Sequence, residues 1–256
     1  MRPDAQQLES GRMETLTIEN YPWFHERHRL FPGIFAGRNH RRIIDVSAGI
    51  GVVAKRITDS YPCSLTCNEQ DRTCLNQLKR LPVRVISFDL DSGERFPLED
   101  ESFDAVICLA TLEHLVHLDH FVMELKRIMA NNGRLYFSVP NYASLYWMMP
   151  LLRGKTFHDP FGKRSRYEFY AHIRYFTYHT VVEFLSHFGF VIDTVYLPLP
   201  KGSTRFQTIR RQSKTLAFLI QNSFRLLYCL SPRWHQEPVI CFAGEGYPGK
   251  PRKVIL

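Results

Sequence analysis

Residues 41–54, RRIIDVSAGIGVVA, decide how the rest of the chain is interpreted. The mostly apolar run Ile43–Val46 predicts a buried strand, and a helical pattern begins at about Val52. Between them lies the small-residue turn Ser47–Gly51. Glycine lets the backbone bend and approach a ligand closely, and the first turn of a helix has free N–H groups. A strand, a small-residue turn and a helix in this order predict a nucleotide-binding cradle.

Length and composition favour one large α/β domain with additions. The chain has 256 residues, of which 45% are hydrophobic, and this supports a sizeable core. No apolar run reaches the ~18 residues of a membrane-spanning helix, and the N-terminal segment lacks the apolar part of a signal peptide. The six cysteines are scattered and lack the paired spacing of a zinc site. We therefore expect a cytoplasmic protein with reduced cysteines and no metal site.

The net charge of +8 is unevenly distributed. Residues 45–140 carry 10 Lys or Arg against 14 Asp or Glu, whereas residues 141–256 carry 16 against 6. A basic C-terminal part can face RNA, an anionic lipid surface or an anionic substrate, or it can be a solvated surface. The apolar stretch 216–230 within it can lie on a membrane surface or pack on the sheet. Peripheral membrane contact is therefore left open.

Strands that alternate with helices follow the cradle. We predict strands at 43–46, 64–68, 83–88, 103–108, 134–139, 190–197 and 238–243, helices at 52–60, 71–79, 117–130 and 180–187, and a helix stop at 131–133. The alternation predicts a mostly parallel sheet covered by helices on both faces. Ligands of such sheets bind beyond the carboxyl ends of the strands.

Three acidic residues stand at or beside the ends of the first three predicted strands. They are Asp45, Glu69 and Asp89. Glu69 lies 18 residues after Gly51, which is close to the offset of about 20 residues at which an acidic side chain reaches a ribose diol. Asp89 could accept a hydrogen bond from an exocyclic amine of the base. This order of acids predicts a site for a nucleoside-containing cofactor.

The same segments resemble the class I S-adenosylmethionine-dependent methyltransferases. The matching stretches are IIDVSAGIGVVAKRI, TCNEQD, SFDLDSGERFPLEDESFDAVICLATLEHL and LKRIMANNGRLYFSVPN, and more loosely HIRYFTYHTVVEFLSHFGF at 172–190. The chain looks most like the type 11-like, small-molecule branch that includes the ubiquinone-biosynthesis O-methyltransferases. The resemblance implies a Rossmann-like α/β fold with seven strands in the order 3-2-1-4-5-7-6 and an antiparallel last strand.

The resemblance also implies S-adenosyl-L-methionine as cofactor and assigns its binding residues. The methionine part falls to Asp45, Ser47, Gly49 and Gly51, the ribose to Glu69, the adenine to Asp89 and Leu90, and the cofactor's amino group to Leu109. Ser47 stands where the family usually has glycine. The dinucleotide-binding pattern G-x-G-x-x-G is not present in this turn.

Candidate catalytic and acceptor-binding residues follow the cofactor segments. His114 lies just after the fourth strand, beside the expected methyl group, and His172 lies in a long connection at 141–177. Histidine can remove a proton from an oxygen or nitrogen acceptor. We interpret the connection as a lid and name Arg174, Tyr175 and Trp147 as acceptor-binding candidates. His114, His117 and His120 have a spacing of three, but we expect no metal there.

These observations divide the chain into three parts. Residues 1–40 are an N-terminal arm and flap, residues 41–197 are the cofactor-binding core with its lid, and residues 198–256 are a basic insertion, the last strand and a tail. The flap can pack on the sheet edge or cover the ligand. The predicted function is O- or N-methylation of a small-molecule, lipid-like or saccharide acceptor. A non-catalytic cofactor-binding module and RNA methylation remain alternatives, and no DNA partner is expected.

Overall fold

A single sheet runs through the centre of the fold. The computed structural model describes residues 11, 13, 14, 16–21, 25–159, 161 and 166–256. In them the strands are β1 (Arg42–Asp45), β2 (Ser64–Asn68), β3 (Arg84–Ile86), β4 (Phe103–Leu109), β5 (Met129–Ser138), β6 (Val191–Leu197), β7 (Val239–Ala243) and β8 (Arg252–Ile255). Their order is β3-β2-β1-β4-β5-β7-β6-β8. The predicted Rossmann-like order is confirmed for seven strands, and an eighth is added beyond β6.

Helices cover both faces of this sheet. The described α-helices are α1 (Glu26–Leu30), α2 (Val52–Ser60), α3 (Arg72–Leu78), α4 (Leu118–Ile128), α5 (Leu145–Leu152), α6 (Arg166–Ala171), α7 (Tyr178–His187), α8 (Thr204–Gln212) and α9 (Lys214–Leu230). Strands β1 to β5 pair in parallel, whereas β7 is antiparallel to both β5 and β6. The carboxyl ends of β1, β2 and β4 therefore meet at one edge of the sheet.

Two predictions about local structure are wrong. Residues 131–133 belong to β5 instead of stopping a helix, because α4 ends at Ile128 and the strand begins at Met129. A side chain at Gly133 would lie 2.6 Å from Met129 Cγ, so the glycine serves a close approach inside the strand. The C-terminal segment 244–256, predicted to be a tail, contains β8, which pairs in parallel with β6.

The N-terminal flap is anchored in the core. Phe31 and Phe35 are fully buried, and both rings pack against the edge of the Tyr136 ring on β5. The Tyr136 hydroxyl lies 2.8 Å from His40 Nε2. Burying two phenylalanines contributes roughly 3–6 kcal/mol by area. The flap therefore packs on the sheet, and Trp23 and Phe24, which contributed to its predicted apolar stripe, lie outside the described residues.

Helix α9 is only partly packed. Ala217 and Tyr228 are its buried residues. Its exposed large apolar side chains are Leu216, Phe218, Leu219, Phe224, Leu226 and Leu230. Among the described helices, none has the length and apolar character needed to span a membrane.

A buried ion cluster ties the distal strands to the core. Asp193 on β6 is 1% exposed and accepts hydrogen bonds from Arg38 at 3.0 Å and from Arg134 at 2.8 Å. Burial alone would raise the pKa of Asp193, but hydrogen bonds from these two arginines outweigh it and hold the pKa well below its usual range. Arg252 of β8 reaches the same carboxylate.

Replacing Asp193 should destabilise the fold. We expect Asp193→Asn to lower the free energy of unfolding at pH 7 by about 3 kcal/mol, because it leaves two arginines without their buried partner. The depressed pKa of Asp193 makes its contribution complete above the unfolded value near 4 and lost as the pH falls below it. Urea unfolding of both proteins at pH 7 and pH 3 measures this. Asp59→Asn, which breaks the exposed Lys55–Asp59 pair, is the control and should change stability by less than ~0.5 kcal/mol. An equal effect of the two substitutions would contradict the expectation.

Candidate active site

The turn after β1 opens into a large cavity. Gly49 and Gly51 have φ angles of 55° and 90°, which side chains rarely adopt. Gly51 caps the N-terminus of α2, and a Cβ there would also come within 2.9 Å of Leu78. Ser47, Ala48, Gly49 and Ile50 line a cavity of about 1150 Å³. The turn thus exposes its backbone to the cavity, as the sequence predicted.

Glu69 holds this turn in place. Its carboxylate accepts the Gly49 N–H at 2.8 Å, and its other oxygen accepts the Gln70 and Asp71 N–H groups at 2.8 and 3.0 Å. Burial raises the pKa of Glu69, and these three hydrogen bonds oppose the rise. The side chain also lines the cavity. It is therefore a fixed acceptor at the end of β2.

Asp45 is a buried carboxyl at the end of β1. It is 3% exposed and lines the cavity. Burial raises the pKa of Asp45 to about 7, the Ser47 N–H opposes the rise, and the charge of Glu69 adds to it. An ionised Asp45 is thus costly in the fold, and a positively charged ligand group would reduce that cost.

The end of β4 forms the opposite wall. Ala110 has a φ of 53°, an unusual value for a residue with a side chain. The Thr111 hydroxyl forms a short hydrogen bond with the Ser47 hydroxyl. Ser47, the departure from the family pattern, therefore bridges the ends of β1 and β4. Leu109 and Ala110 line the cavity beside this bridge.

Beyond Thr111 the cavity contains Glu113, whose carboxylate is completely buried. Both of its oxygens are without a hydrogen-bond partner among the described residues. Burial raises the pKa of Glu113 to about 8; its own backbone N–H and the charge of Arg27 oppose the rise, and the charge of Glu237 adds to it. The Glu113 backbone carbonyl accepts the N–H groups of Ile173 and Arg174 at 3.0 and 3.1 Å, so it ties this wall to the lid.

Two histidines stand beside Glu113. His114 Nδ1 lies 3.1 Å from the Ala171 carbonyl, and His172 Nδ1 lies 2.7 Å from the Tyr142 hydroxyl. The two imidazole rings are 4.7 Å apart and nearly perpendicular. The Tyr142 hydroxyl also meets His158 Nε2 at 2.8 Å, and burial lowers the pKa of His158 to about 4. The lid therefore presents a connected set of polar rings to the cavity.

The flap supplies the cavity's positive charge. Arg27, on α1, lines the cavity and forms a short ion pair with Glu237. Its Nε is buried without a hydrogen-bond partner in the described part of the chain. Tyr21, His25 and His28 line the same wall. The flap therefore both packs on the sheet and faces the ligand space, so each of its two interpretations holds for a different set of residues.

Most of the predicted site residues gather around this cavity. Its walls include Asp45, Ser47, Gly49, Glu69, Asp89, Leu90, Leu109, His114, His172 and Trp147. Gly51 lies behind the turn at the start of α2. Arg174 and Tyr175 are exposed and lie outside the described cavity wall. Tyr175 packs on the rings of Tyr142 and Phe157 instead.

The other two histidines of the predicted spacing of three turn away from the cavity. His117 Nδ1 lies 2.7 Å from the Asp91 carbonyl, and His120 Nε2 lies 2.8 Å from the Glu94 carbonyl. Both rings are therefore hydrogen-bonded to backbone carbonyls of the loop that follows β3. Their part in the structure is to attach that loop to α4.

Sequence reasoning missed several residues that line the cavity or hold its walls. Arg27 and Glu237 are 210 positions apart, and no local pattern joins them. Tyr142 and His158 lie in the lid, where the sequence has aromatic residues in many positions. No part in the site was assigned to Glu113 from the sequence. A carboxylate next to His114 in an otherwise apolar segment was the one available signal.

Comparisons with known proteins agree with this geometry. Residues 44–137 match the family described as a methyltransferase domain. This part of the chain therefore has the sequence pattern of a methyltransferase domain. The chain is 30% identical over 168 residues to the malonyl-[acyl-carrier protein] O-methyltransferase of Geobacter sulfurreducens, which covers 63% of this chain and 60% of that protein.

Further relatives and structures extend the comparison. The chain is 29% identical to the phthiotriol/phenolphthiotriol dimycocerosates methyltransferase 1 of Mycobacterium ulcerans, over 38% of this chain and 37% of that one. Its fold is similar to that of a SAM-dependent methyltransferase from Archaeoglobus fulgidus, with a TM-score of 0.55, 16% identity and coverage of 84% and 90%. The chain spans between 37% and 60% of the length of the curated relatives it matches.

The domain family implies S-adenosylmethionine as cofactor, and the residues present fit it. The positive-φ turn leaves its backbone open, since nothing lies within 4 Å of a Cβ built on Gly49. The fixed carboxylate of Glu69 suits a diol, and the buried carboxyl of Asp45 suits a cationic group. Asp89 and Leu90 line the cavity past the end of β3. The predicted assignment of ribose to Glu69 and adenine to Asp89 stays a prediction.

Glu69 should carry a large share of cofactor affinity. We expect Glu69→Ala to weaken binding of S-adenosylhomocysteine by about 10- to 100-fold, because a hydrogen bond to a charged group contributes about 1.5–3 kcal/mol. Isothermal titration calorimetry of both proteins measures this. Glu99→Ala removes an exposed acidic side chain and should leave affinity unchanged. Retained affinity in Glu69→Ala would refute the ribose assignment.

The Asp45 carboxylate should lower the stability of the fold and strengthen cofactor binding. Its raised pKa means that the folded protein loses stability as the pH rises from about 4 to about 7, where the unfolded carboxyl is ionised and the folded one is not. We therefore expect Asp45→Asn to raise the urea midpoint at pH 8, with no gain at pH 4, and to weaken S-adenosylhomocysteine binding. A lower midpoint at pH 8 would show that the Asp45 carboxylate stabilises the fold.

Proposed function

We propose that the chain is an S-adenosylmethionine-dependent methyltransferase whose acceptor combines an apolar part with an anionic or hydroxyl-bearing end. The observation that carries this proposal is the shape of one cavity. Its first half is lined by the residues that the resemblance assigns to the cofactor, and its second half combines Arg27 and two histidines with aromatic walls. The acceptor and the cofactor would meet at the end of β4.

In the proposed reaction, the main task of the protein is to align the acceptor with the methyl group of the cofactor. Bound S-adenosylmethionine supplies a methyl carbon on a cationic sulfur, and transfer to the acceptor's lone pair leaves a neutral thioether. The turn after β1 and Glu69 fix one reactant, and the lid fixes the other. His114 and His172 are the side chains that contact the acceptor's reacting group and receive its proton. Both are held by outer hydrogen bonds to Ala171 and Tyr142.

An apolar part of the acceptor is supported by α5. This helix has the sequence LYWMMPLL and no buried residue. Tyr146 and Trp147 line the cavity, while Leu151 and Leu152 are 46% and 73% exposed. An exposed apolar helix that continues a cavity wall fits a greasy ligand that leaves the cavity along it. The names of two relatives, which refer to an acyl-carrier-bound malonyl group and to dimycocerosates, agree with this class.

An anionic end is supported by Arg27. Its side chain is 10% exposed, and Nε of its guanidinium is buried without a partner in the described residues. Arginine binds carboxylates through two parallel hydrogen bonds. An acceptor carboxylate would bind the Arg27 guanidinium, which is paired with Glu237 in this structure.

Turnover tests the proposal. We expect methyl-labelled S-adenosylmethionine to transfer label to carboxylic acids or hydroxyl compounds with long apolar chains, with one S-adenosylhomocysteine formed per methyl group. Arg27→Met should raise KM for carboxylate acceptors by about tenfold or more and leave neutral acceptors unchanged, since a charged hydrogen bond contributes about 1.5–3 kcal/mol. Arg72→Met, which removes an exposed cation on α3, is the matched control.

The other outcomes identify the alternatives. Cofactor binding without transfer to any lipid-like, saccharide or amine acceptor would make the chain a non-catalytic module. Transfer to RNA, with binding that weakens steeply as salt rises, would assign an RNA substrate to the basic C-terminal part.

A further inference from the structure

We propose that Glu113, His114 and His172 form a binding site for one divalent transition-metal ion at the acceptor end of the cavity. The inference rests on the proposed function, because the ion would contact the acceptor. Each of the three residues offers one ligand atom, and these atoms all lie within 4.8 Å of one another. All three side chains line the cavity. The sequence alone predicted no metal site.

The strongest observation is the state of the Glu113 carboxylate. It is fully buried, and neither oxygen has a hydrogen-bond partner in the described chain. A buried carboxyl group without partners is expensive, and nearly all such groups in folded proteins are satisfied by a donor, a water or an ion. The nearby guanidinium of Arg27 is already paired with Glu237. A cation bound at Glu113 would supply the missing partner.

The two histidines have the outer contacts of metal ligands. His114 Nδ1 meets the Ala171 carbonyl, and His172 Nδ1 meets the Tyr142 hydroxyl. Histidines that bind metals commonly use their other ring nitrogen in this way, which fixes the orientation of the ring. Nε2 is then the nitrogen that each ring would give to the ion. The lid thus holds His172 from outside the cluster.

The ligand set favours a particular class of ion. Two imidazoles and one carboxylate suit Fe²⁺, Co²⁺, Mn²⁺ or Zn²⁺, and three protein ligands leave positions open for other ligands. Those positions would face the cavity, where an acceptor hydroxyl or carboxylate oxygen can enter. The ion would orient that oxygen toward the cofactor and favour its deprotonated form. With the ion bound, His114 and His172 would be its ligands instead of proton acceptors, and the acceptor proton would leave to solvent.

Metal titration of the full chain tests the site. The protein is freed of metal with a chelator and titrated with Co²⁺ alone, which reports nitrogen and oxygen ligands through its visible absorption. We expect one Co²⁺ per chain. Glu113→Gln and His172→Gln should weaken binding by about 100-fold or more, and Tyr142→Phe by about 10- to 100-fold, the range measured for loss of an outer partner.

Controls separate this site from other metal ligands. His120→Gln removes a histidine outside the cavity, and Cys229→Ser removes the exposed cysteine. Both should bind Co²⁺ like the unaltered chain. S-adenosylhomocysteine binding is measured on every variant, since it depends on the turn after β1 and shows whether the variant is folded.

The outcomes are distinct. The metal site is overturned if the unaltered chain does not bind one Co²⁺, or if Glu113→Gln binds Co²⁺ with the same affinity. In either case, normal S-adenosylhomocysteine binding would leave the proposed function standing. If the unaltered chain does not bind S-adenosylhomocysteine, the proposed function is overturned, whatever the Co²⁺ result.

Discussion

The carboxyl edge of the parallel sheet leaves backbone groups that the strands cannot satisfy, and the side chain of Asn68 satisfies three of them. Its amide nitrogen donates to the Val46 and Phe88 carbonyls at 3.0 and 3.3 Å, and its oxygen accepts the Phe88 N–H at 3.0 Å. Asn68 is 1% exposed, so each bond replaces one that water cannot make. The ends of β1, β2 and β3 are fixed together by one residue. Everything that faces the cavity from these strands, including Glu69, depends on that junction.

The site contains two carboxyl groups that are costly to bury. Burial raises the pKa of Asp45 to about 7 and that of Glu113 to about 8, so both oppose folding when they are ionised. A domain with two large apolar clusters on either side of its sheet can bear this cost. Such groups persist where their chemistry is needed, because a ligand of opposite charge recovers the lost free energy on binding. The two carboxyls mark the two halves of the cavity.

Local pattern and family resemblance predicted the parts of the fold that are local. The turn at Ser47–Gly51 follows from strand–helix alternation and glycine placement, whereas the strand order was implied by the family resemblance. The prediction of a helix stop at 131–133 was wrong. Gly133 is needed because Met129 lies too close for a side chain at that position, and a glycine inside such a strand gives the same sequence signal as a glycine at a helix end. Strand β8 was missed because, among the described strands, it pairs only with β6, more than 50 residues away. The Arg27–Glu237 pair was missed for the same reason, because two residues that are far apart in the sequence produce no local spacing pattern when they pair.

In the proposed function, the flap and the lid would divide the recognition of the acceptor between a rigid and an adaptable surface. Arg27 lies one helical turn from Phe31, whose ring is fully buried against Tyr136, so the charged end of the cavity is fixed relative to the sheet. Helix α5 has no such anchor, because none of its residues is buried, although Trp147 packs on Tyr142 and His158. A fixed charge sets where the reacting end of an acceptor stops. An unanchored apolar helix can adjust to chains of different length, so this division favours selectivity for the reacting group over selectivity for the apolar part.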